Sequence, residues 1–446
     1  MDADRQVQGT IRAINAKDPS APDAYFAFSA AGRKEICGAF GRSGLRTLTG
    51  LIKGAKKNSF RTAVKGFTSI AENVAATPLY LIDETLIEEN MRILQYVKDR
   101  TDCKILHALK AYASFSTFPM MAGYLDGTCA SGVNEARLGR EEFGKEVHTF
   151  GAAHREEDIR KILRYSDSII FNSFYQLERY GKAARQQGVE IGLRVNPGHS
   201  EVATEIYDPC APFSRLGITS ESFDREFGKC EGVVDGLHFH AMCEQNADVL
   251  ERVLKSFEQL FGPHINGLKW VNFGGGHHIT RDDYDLERLI TLVNDFKRRW
   301  GVQVYLEPGE ASVYRAGVLI ASVLDIVWNE MEIAIMDASA ETHMPDVLLM
   351  PYRPDVVGSA VPGRKKHTYR LAGPSCLAGD VIGDYSFDRP LIRGDRLVFT
   401  DMALYSIVKN TTFNGINLPD IAVIRRENRI ETVKKFGYKD YRNRLS

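Results

Sequence analysis

The chain has 446 residues and a formal net charge of −1 at pH 7, with 57 basic residues set against 58 acidic ones. That balance gives no electrostatic case for a nucleic-acid partner or an anionic membrane surface. The longest apolar run, GVLIASVLDIVW at 317–328, carries Asp325 and falls well short of the ~20 residues a membrane-spanning helix requires.

The chain opens MDADRQ, polar and acidic, without the apolar segment of a secretory signal. Its seven cysteines are an odd number without close pairs, which fits reduced thiols and a cytoplasmic protein. Residues 1–73 form an N-terminal extension of different texture. Within it GRSGLRTLTGLIKGAKKNSFRTAVKGF (41–67) is basic and weakly amphipathic, so a surface-lying helix or an anion-binding arm competes with a flexible leader. The flexible leader is the expectation, and the acidic start argues against a transit peptide.

From residue 100 to 310 a short apolar run followed by an amphipathic helical window recurs eight times. The runs are KILHALKA (104–111), GTCAS (127–131), EVHTF (146–150), SIIFNS (168–173), EIGLRVNP (190–197), VDGLHFHAMC (234–243), LKWVNFGGG (268–276) and VQVYLEPG (302–309). Continuous apolar character marks strands covered on both faces, and the alternation predicts an α/β fold, a (β/α)₈ barrel over 86–312. Beyond 313 the alternation stops. TYRLAGPSC (368–376), DRLVFTDM (395–402) and DIAVIRR (420–426) predict a mostly β domain over 313–436, joined by 74–85 with the strand TPLYLID (77–83).

Barrel chemistry sits at the C-terminal strand ends, which here carry Lys110, Ser131, Asn172, Asn196, His240, Gly274, Gly275, Gly276 and Glu307. A lysine with a buried stem has a lowered pKa and attacks an aldehyde, which implies pyridoxal 5′-phosphate; the competing reading is a rim salt bridge. The glycine triplet on the seventh strand lets a phosphate approach backbone N–H groups, unless it is only a tight turn. Glu307 either keeps a pyridine nitrogen protonated, which favours decarboxylation, or pairs with an arginine such as Arg194. His238 and His240 lie on one side of the sixth strand. His240 stacks on the cofactor ring in one reading; in the other the pair ligates a metal, as in a barrel hydrolase.

HALKA with Lys110, LRVNP with Arg194, HFHAMCEQ with His240, NFGGGHHIT, LEPGEA with Glu307, GPSCLAGD with Cys376 and DMALYSIVKNTTFNG with Tyr405 together resemble the fold-type III pyridoxal-phosphate decarboxylases, the ornithine and diaminopimelate decarboxylase group. YDPCAPFSRLG, HMPDVL and FNGINLP bring the resemblance closer to the carboxynorspermidine/carboxyspermidine decarboxylase subfamily. It spans roughly 75–428 and implies a homodimer with active sites at the interface, acting in polyamine biosynthesis. By that resemblance Lys110 carries the cofactor, Arg194 belongs to its site, His240 stacks on its ring and Glu307 meets its nitrogen. Gly275, Gly276 and Tyr405 hold its phosphate, and Gly274 belongs to the cofactor site beside them. Cys376 reaches the substrate carbon from the other subunit, with an inert thiol as its rival reading. Glu244, Glu310, Asp346 and Asp380 are candidates for substrate ammonium groups, and Arg215 for a carboxylate. The chain departs from ornithine decarboxylases at Glu310, where those carry a phosphate-binding arginine, and from many subfamily relatives at Leu404, where those carry histidine.

Overall fold

Strands this short and apolar must be covered on both faces, and the architecture supplies that cover. A computed structural model describes residues 2–229 and 232–446, in which two compact units are distinguished. One comprises residues up to Lys56, Glu89–Lys110 and Thr117–Ser312; the other comprises Lys57–Glu88, Ala111–Ser116 and Val313–Ser446.

Strand β1 (Leu79–Asp83) belongs to the second unit. The next eight close the barrel: β2 (Lys104–Ala108), β3 (Gly127–Ala130), β4 (Glu146–Phe150), β5 (Ser168–Phe171), β6 (Glu190–Arg194), β7 (Gly236–His238), β8 (Trp270–Asn272) and β9 (Gln303–Leu306). Every neighbouring pair is parallel, and β9 returns to β2. Leu106, Ile170, Trp270 and Tyr305 pack together in its interior, against Cys129 and Phe150. Trp270 is the largest of these, and the chain makes room for it. A Cβ on Gly236 would stand 2.1 Å from the indole, and one on Gly192 2.5 Å.

The flexible leader expected over 1–73 is instead four helices: α1 (Asp2–Asn15), α2 (Ala21–Phe26), α3 (Ala30–Ala39) and α4 (Arg42–Asn73). Leu45, Leu48 and Ile52 recur at helical spacing on α4 and are all buried, so a weak stripe diluted by glycines still found a surface to cover. Tyr25 donates to Asp99 of α5 (Glu84–Thr101) at 3.0 Å, and Arg33 Nε reaches the same carboxylate oxygen at 2.7 Å. The extension is therefore no separate segment, since its residues to Lys56 count with the barrel unit.

In the second unit the sheet runs β13 (Val381–Phe387), β12 (His367–Ala372), β11 (Met331–Met336), β10 (Gly317–Asn329), β1, β15 (Asp420–Ile424) and β16 (Ile430–Lys434), with β14 (Arg396–Thr400) on β10. β1 does join this sheet, antiparallel to β10 and parallel to β15. The apolar run at 317–328 is β10, which is long because it serves β1, β11 and β14 as partners. No helix among the described residues is long and apolar enough to cross a membrane.

Candidate active site

Lys110 lies two residues past β2, in a turn, and its side chain is exposed. The lysine is more open than the buried stem expected of it, because the strand ends at Ala108 and Lys110 stands on the turn beyond it. Its Nζ stands 3.5 Å from Nε2 of His240, which follows β7. The other nitrogen of that ring, Nδ1, accepts the Gly275 N–H at 2.9 Å. Burial first, then the charges of Lys110 and Arg194, push the His240 pKa well below the ordinary imidazole range. The ring is neutral at pH 7, oriented by the glycine turn, and carries its proton on Nε2.

Glu307 follows β9. Its Oε1 accepts from Asn272 Nδ2 at 2.7 Å, and Oε2 is 3.3 Å from His238 Nε2. Burial alone would raise this carboxyl, but the His238 imidazole and the Asn272 amide outweigh it and hold the pKa at about 2. Burial lowers His238 in turn, against the pull of Glu307. The result is an ionised carboxylate on a largely buried side chain. Arg194 is not its partner: the guanidinium is buried over the Phe150 ring at 4.5 Å and donates to the His240 carbonyl at 3.2 Å. Burial brings Arg194 down to about 10. The two histidines read as a metal pair have separate engagements, His238 with Glu307 and His240 with Gly275. Among the described residues no three His, Cys, Asp or Glu side chains converge as ligands.

The glycine turn has no room for side chains. Gly274 and Gly276 have φ of 69° and 80°, and a Cβ on Gly276 would stand 1.9 Å from the Met242 carbonyl oxygen. Of the two glycines expected to hold a phosphate, Gly275 is already engaged. Gly274 N–H goes to Asn272 Oδ1 at 2.8 Å and Gly275 N–H to His240, which leaves the Gly276 N–H. Glu310, expected to meet a substrate amine, pairs with His278 Nε2 at 2.7 Å. Glu244 is exposed with a left-handed backbone (φ 54°), and Arg215 is exposed on the loop after β6, its carbonyl held by Asn172 Nδ2 at 2.7 Å.

The remaining candidates lie in the second unit. Tyr405 holds a φ of 53°, costly for a bulky residue, and its N–H donates to Ala111 O at 2.8 Å. Lys409 stands 5.1 Å from the Tyr405 ring centre and 2.6 Å from Asp346, so that carboxylate already has a cation. Cys376 is exposed, its N–H fixed on Asn414 Oδ1 at 2.8 Å. Asp380 is misplaced as a substrate ligand. It is buried, accepts from Ser339 Oγ and Ala340 N–H at 2.8 Å each, and caps the turn Ala340–His343.

Sequence reasoning missed Asn272, Phe150 and His278. Asn272 carried a signal, being polar at the end of an otherwise apolar strand. The other two are ordinary until the strands are placed.

An exposed lysine, an oriented neutral imidazole, an ionised carboxylate and a glycine turn at one end of a parallel barrel fit pyridoxal phosphate. A pyridinium needs the carboxylate, and a phosphate needs the cleared backbone at Gly276. Fold and site together define an enzyme with a parallel barrel and a β domain, its barrel rim suited to that cofactor. Residues 55–403 match the family model described as pyridoxal-dependent decarboxylase, C-terminal sheet domain. The chain is 43% identical over 376 residues to a carboxynorspermidine/carboxyspermidine decarboxylase of Campylobacter jejuni, covering 82% of this chain and 97% of that one. It is 40% identical over 371 residues to a carboxyaminopropylagmatine decarboxylase of Synechocystis, covering 83% and 95%. The crystal structure of carboxynorspermidine decarboxylase complexed with norspermidine from Campylobacter jejuni superposes with a TM-score of 0.77 at 42% identity, over 82% of this chain and 99% of that one. The chain belongs to the pyridoxal-dependent decarboxylase family, and it is a decarboxylase.

Proposed function

We propose that this chain removes CO₂ from carboxynorspermidine or carboxyspermidine, giving norspermidine or spermidine, as a cytoplasmic homodimer that uses pyridoxal 5′-phosphate. The observation that carries the reading is the ionised Glu307, held between Asn272 and His238 among the same strand ends as Lys110. When bound, the cofactor supplies an electron sink for the bond that loses CO₂.

The protein supplies placement and charge. Lys110 holds the cofactor aldehyde. Glu307 favours the protonated ring nitrogen, since a fixed anion stabilises a cation beside it. His240, oriented by Gly275, would lie against the ring of the bound cofactor and add no charge there. The Gly276 N–H holds the phosphate, and Arg194 keeps the His240 backbone in place. Glu244 on the barrel rim attracts the substrate's ammonium groups, and Arg215 meets its carboxylate. Cys376 from a second copy of the chain delivers a proton to the carbon that has lost CO₂, a role its exposure permits.

A second substrate reading has its own support, because the Synechocystis relative is nearly as similar as the Campylobacter one and is named for carboxyaminopropylagmatine. Carbon dioxide release measured with carboxynorspermidine, carboxyspermidine and carboxyaminopropylagmatine decides between them. Preference for either triamine supports the first reading; preference for the agmatine derivative supports the second. Turnover of ornithine or diaminopimelate alone would defeat both.

A further inference from the structure

The family model begins at residue 55, so α1–α3 and much of α4 lie outside what it describes. Those helices are nonetheless attached to the catalytic rim. The segment between β8 and the helix Leu286–Trp300 opens with the glycine turn and runs on through Tyr284. Its backbone carbonyls are taken by two lysines of α4: Lys53 Nζ donates to Asp282 O at 3.1 Å and Tyr284 O at 2.5 Å, and Lys56 Nζ donates to Thr280 O. Lys56 is buried at 4% exposure, and Thr280 at 1%. Thr49, a turn earlier on α4, donates to Glu287 at 2.9 Å, at the start of the helix that follows.

The same segment is tied to the last strand end. Thr280 Oγ1 donates to Ala311 O at 2.7 Å, and His278 meets Glu310 at 2.7 Å. A buried ammonium directed at a backbone carbonyl fixes where that carbonyl lies, because moving it away would strand the charge. The Tyr25–Asp99–Arg33 cluster anchors the extension on α5, which gives the lysines a firm base.

We propose that the N-terminal extension braces the glycine turn, with Lys53 and Lys56 as positioning residues that set the affinity for the cofactor phosphate. This rests on the pyridoxal-phosphate reading above. The test uses the full chain freed of cofactor, titrated with pyridoxal phosphate by absorbance, together with amide exchange of the apo-protein. Lys56→Met is expected to weaken cofactor binding about tenfold and to speed exchange over residues 277–285, while α1–α3 keep their protection. Lys56→Arg, which keeps a buried cation and donor, is expected to restore both. If Lys56→Met does not fold, the half-buried Lys53→Met carries the same two measurements. A folded variant with wild-type affinity and unchanged exchange overturns the proposal. So does exchange raised uniformly over the barrel unit, which would mark a role in stability alone. Failure of the wild-type chain to bind pyridoxal phosphate would instead defeat the cofactor reading, and the exchange measurement would still report on the brace.

Discussion

The roles proposed for Lys110, Glu307 and Cys376 are each separable by one substitution. Lys110→Ala is expected to abolish CO₂ release. In the wild-type enzyme, borohydride reduction and peptide mapping should put the phosphopyridoxyl group on Lys110, and an adduct at any other lysine would contradict the assignment. Glu307→Gln keeps the shape and removes the charge, so kcat should fall by two orders of magnitude or more, about 3 kcal/mol of transition-state stabilisation, with cofactor still bound. An unchanged kcat would show that the carboxylate does not support the ring. Cys376→Ala should lower turnover and leave the cofactor absorbance intact. At this scale the placement of the candidates at the barrel's strand ends was legible, because Lys110, His240 and Glu307 each stand one or two residues past a strand whose apolar run announces it. Their partners were not. Asn272 holds Glu307, and His278 meets Glu310, only because segments distant in sequence are neighbours in the barrel.

Among the elements, the turn after β8 has the narrowest tolerance. Gly276→Ala must place a methyl group 1.9 Å from the Met242 oxygen while holding a φ of 80°, so it is expected to cost ~1–3 kcal/mol in urea unfolding and to weaken pyridoxal phosphate binding. Wild-type stability and affinity in that variant would mean the turn relaxes without consequence. The barrel strands could be foreseen from their texture, as could β1, β12, β14 and β15. Helix α4 could not, since Gly44, Gly50, Gly54 and Gly66 weaken its propensity and its stability comes from the surface it covers. β16 escaped notice for a related reason: its exposed and half-exposed residues dilute the apolar pattern of a buried strand.

Across the whole molecule, buried histidines tie stability to pH. His277 in the barrel unit and His343 in the other are each held at about 4 by burial, against ~6.5 when unfolded. A folded pKa below the unfolded one means that the unfolded chain takes up protons first. The contribution is therefore complete above about pH 6.5 and is lost as pH falls through about 4, roughly 3 kcal/mol for each ring. The urea midpoint is expected to drop steadily over that window, and His277→Gln should flatten the slope. A midpoint that stays level from pH 6.5 to 4 would mean these rings are hydrated or protonated in the native state.

The amino-acid sequence by itself determined the alternation of strand and helix, hence the barrel, and the residue types at its strand ends, hence the expectation of a pyridoxal cofactor; both follow from local periodicity and from side-chain chemistry that needs no neighbour to be recognised. Tertiary structure alone decided which of those groups are charged, paired or already committed: that Asp380 caps a turn, that Gly275 steers His240, and that the leading residues fold onto the barrel. Those outcomes depend on burial and on partners distant in sequence, and neither is encoded in any short window of the chain.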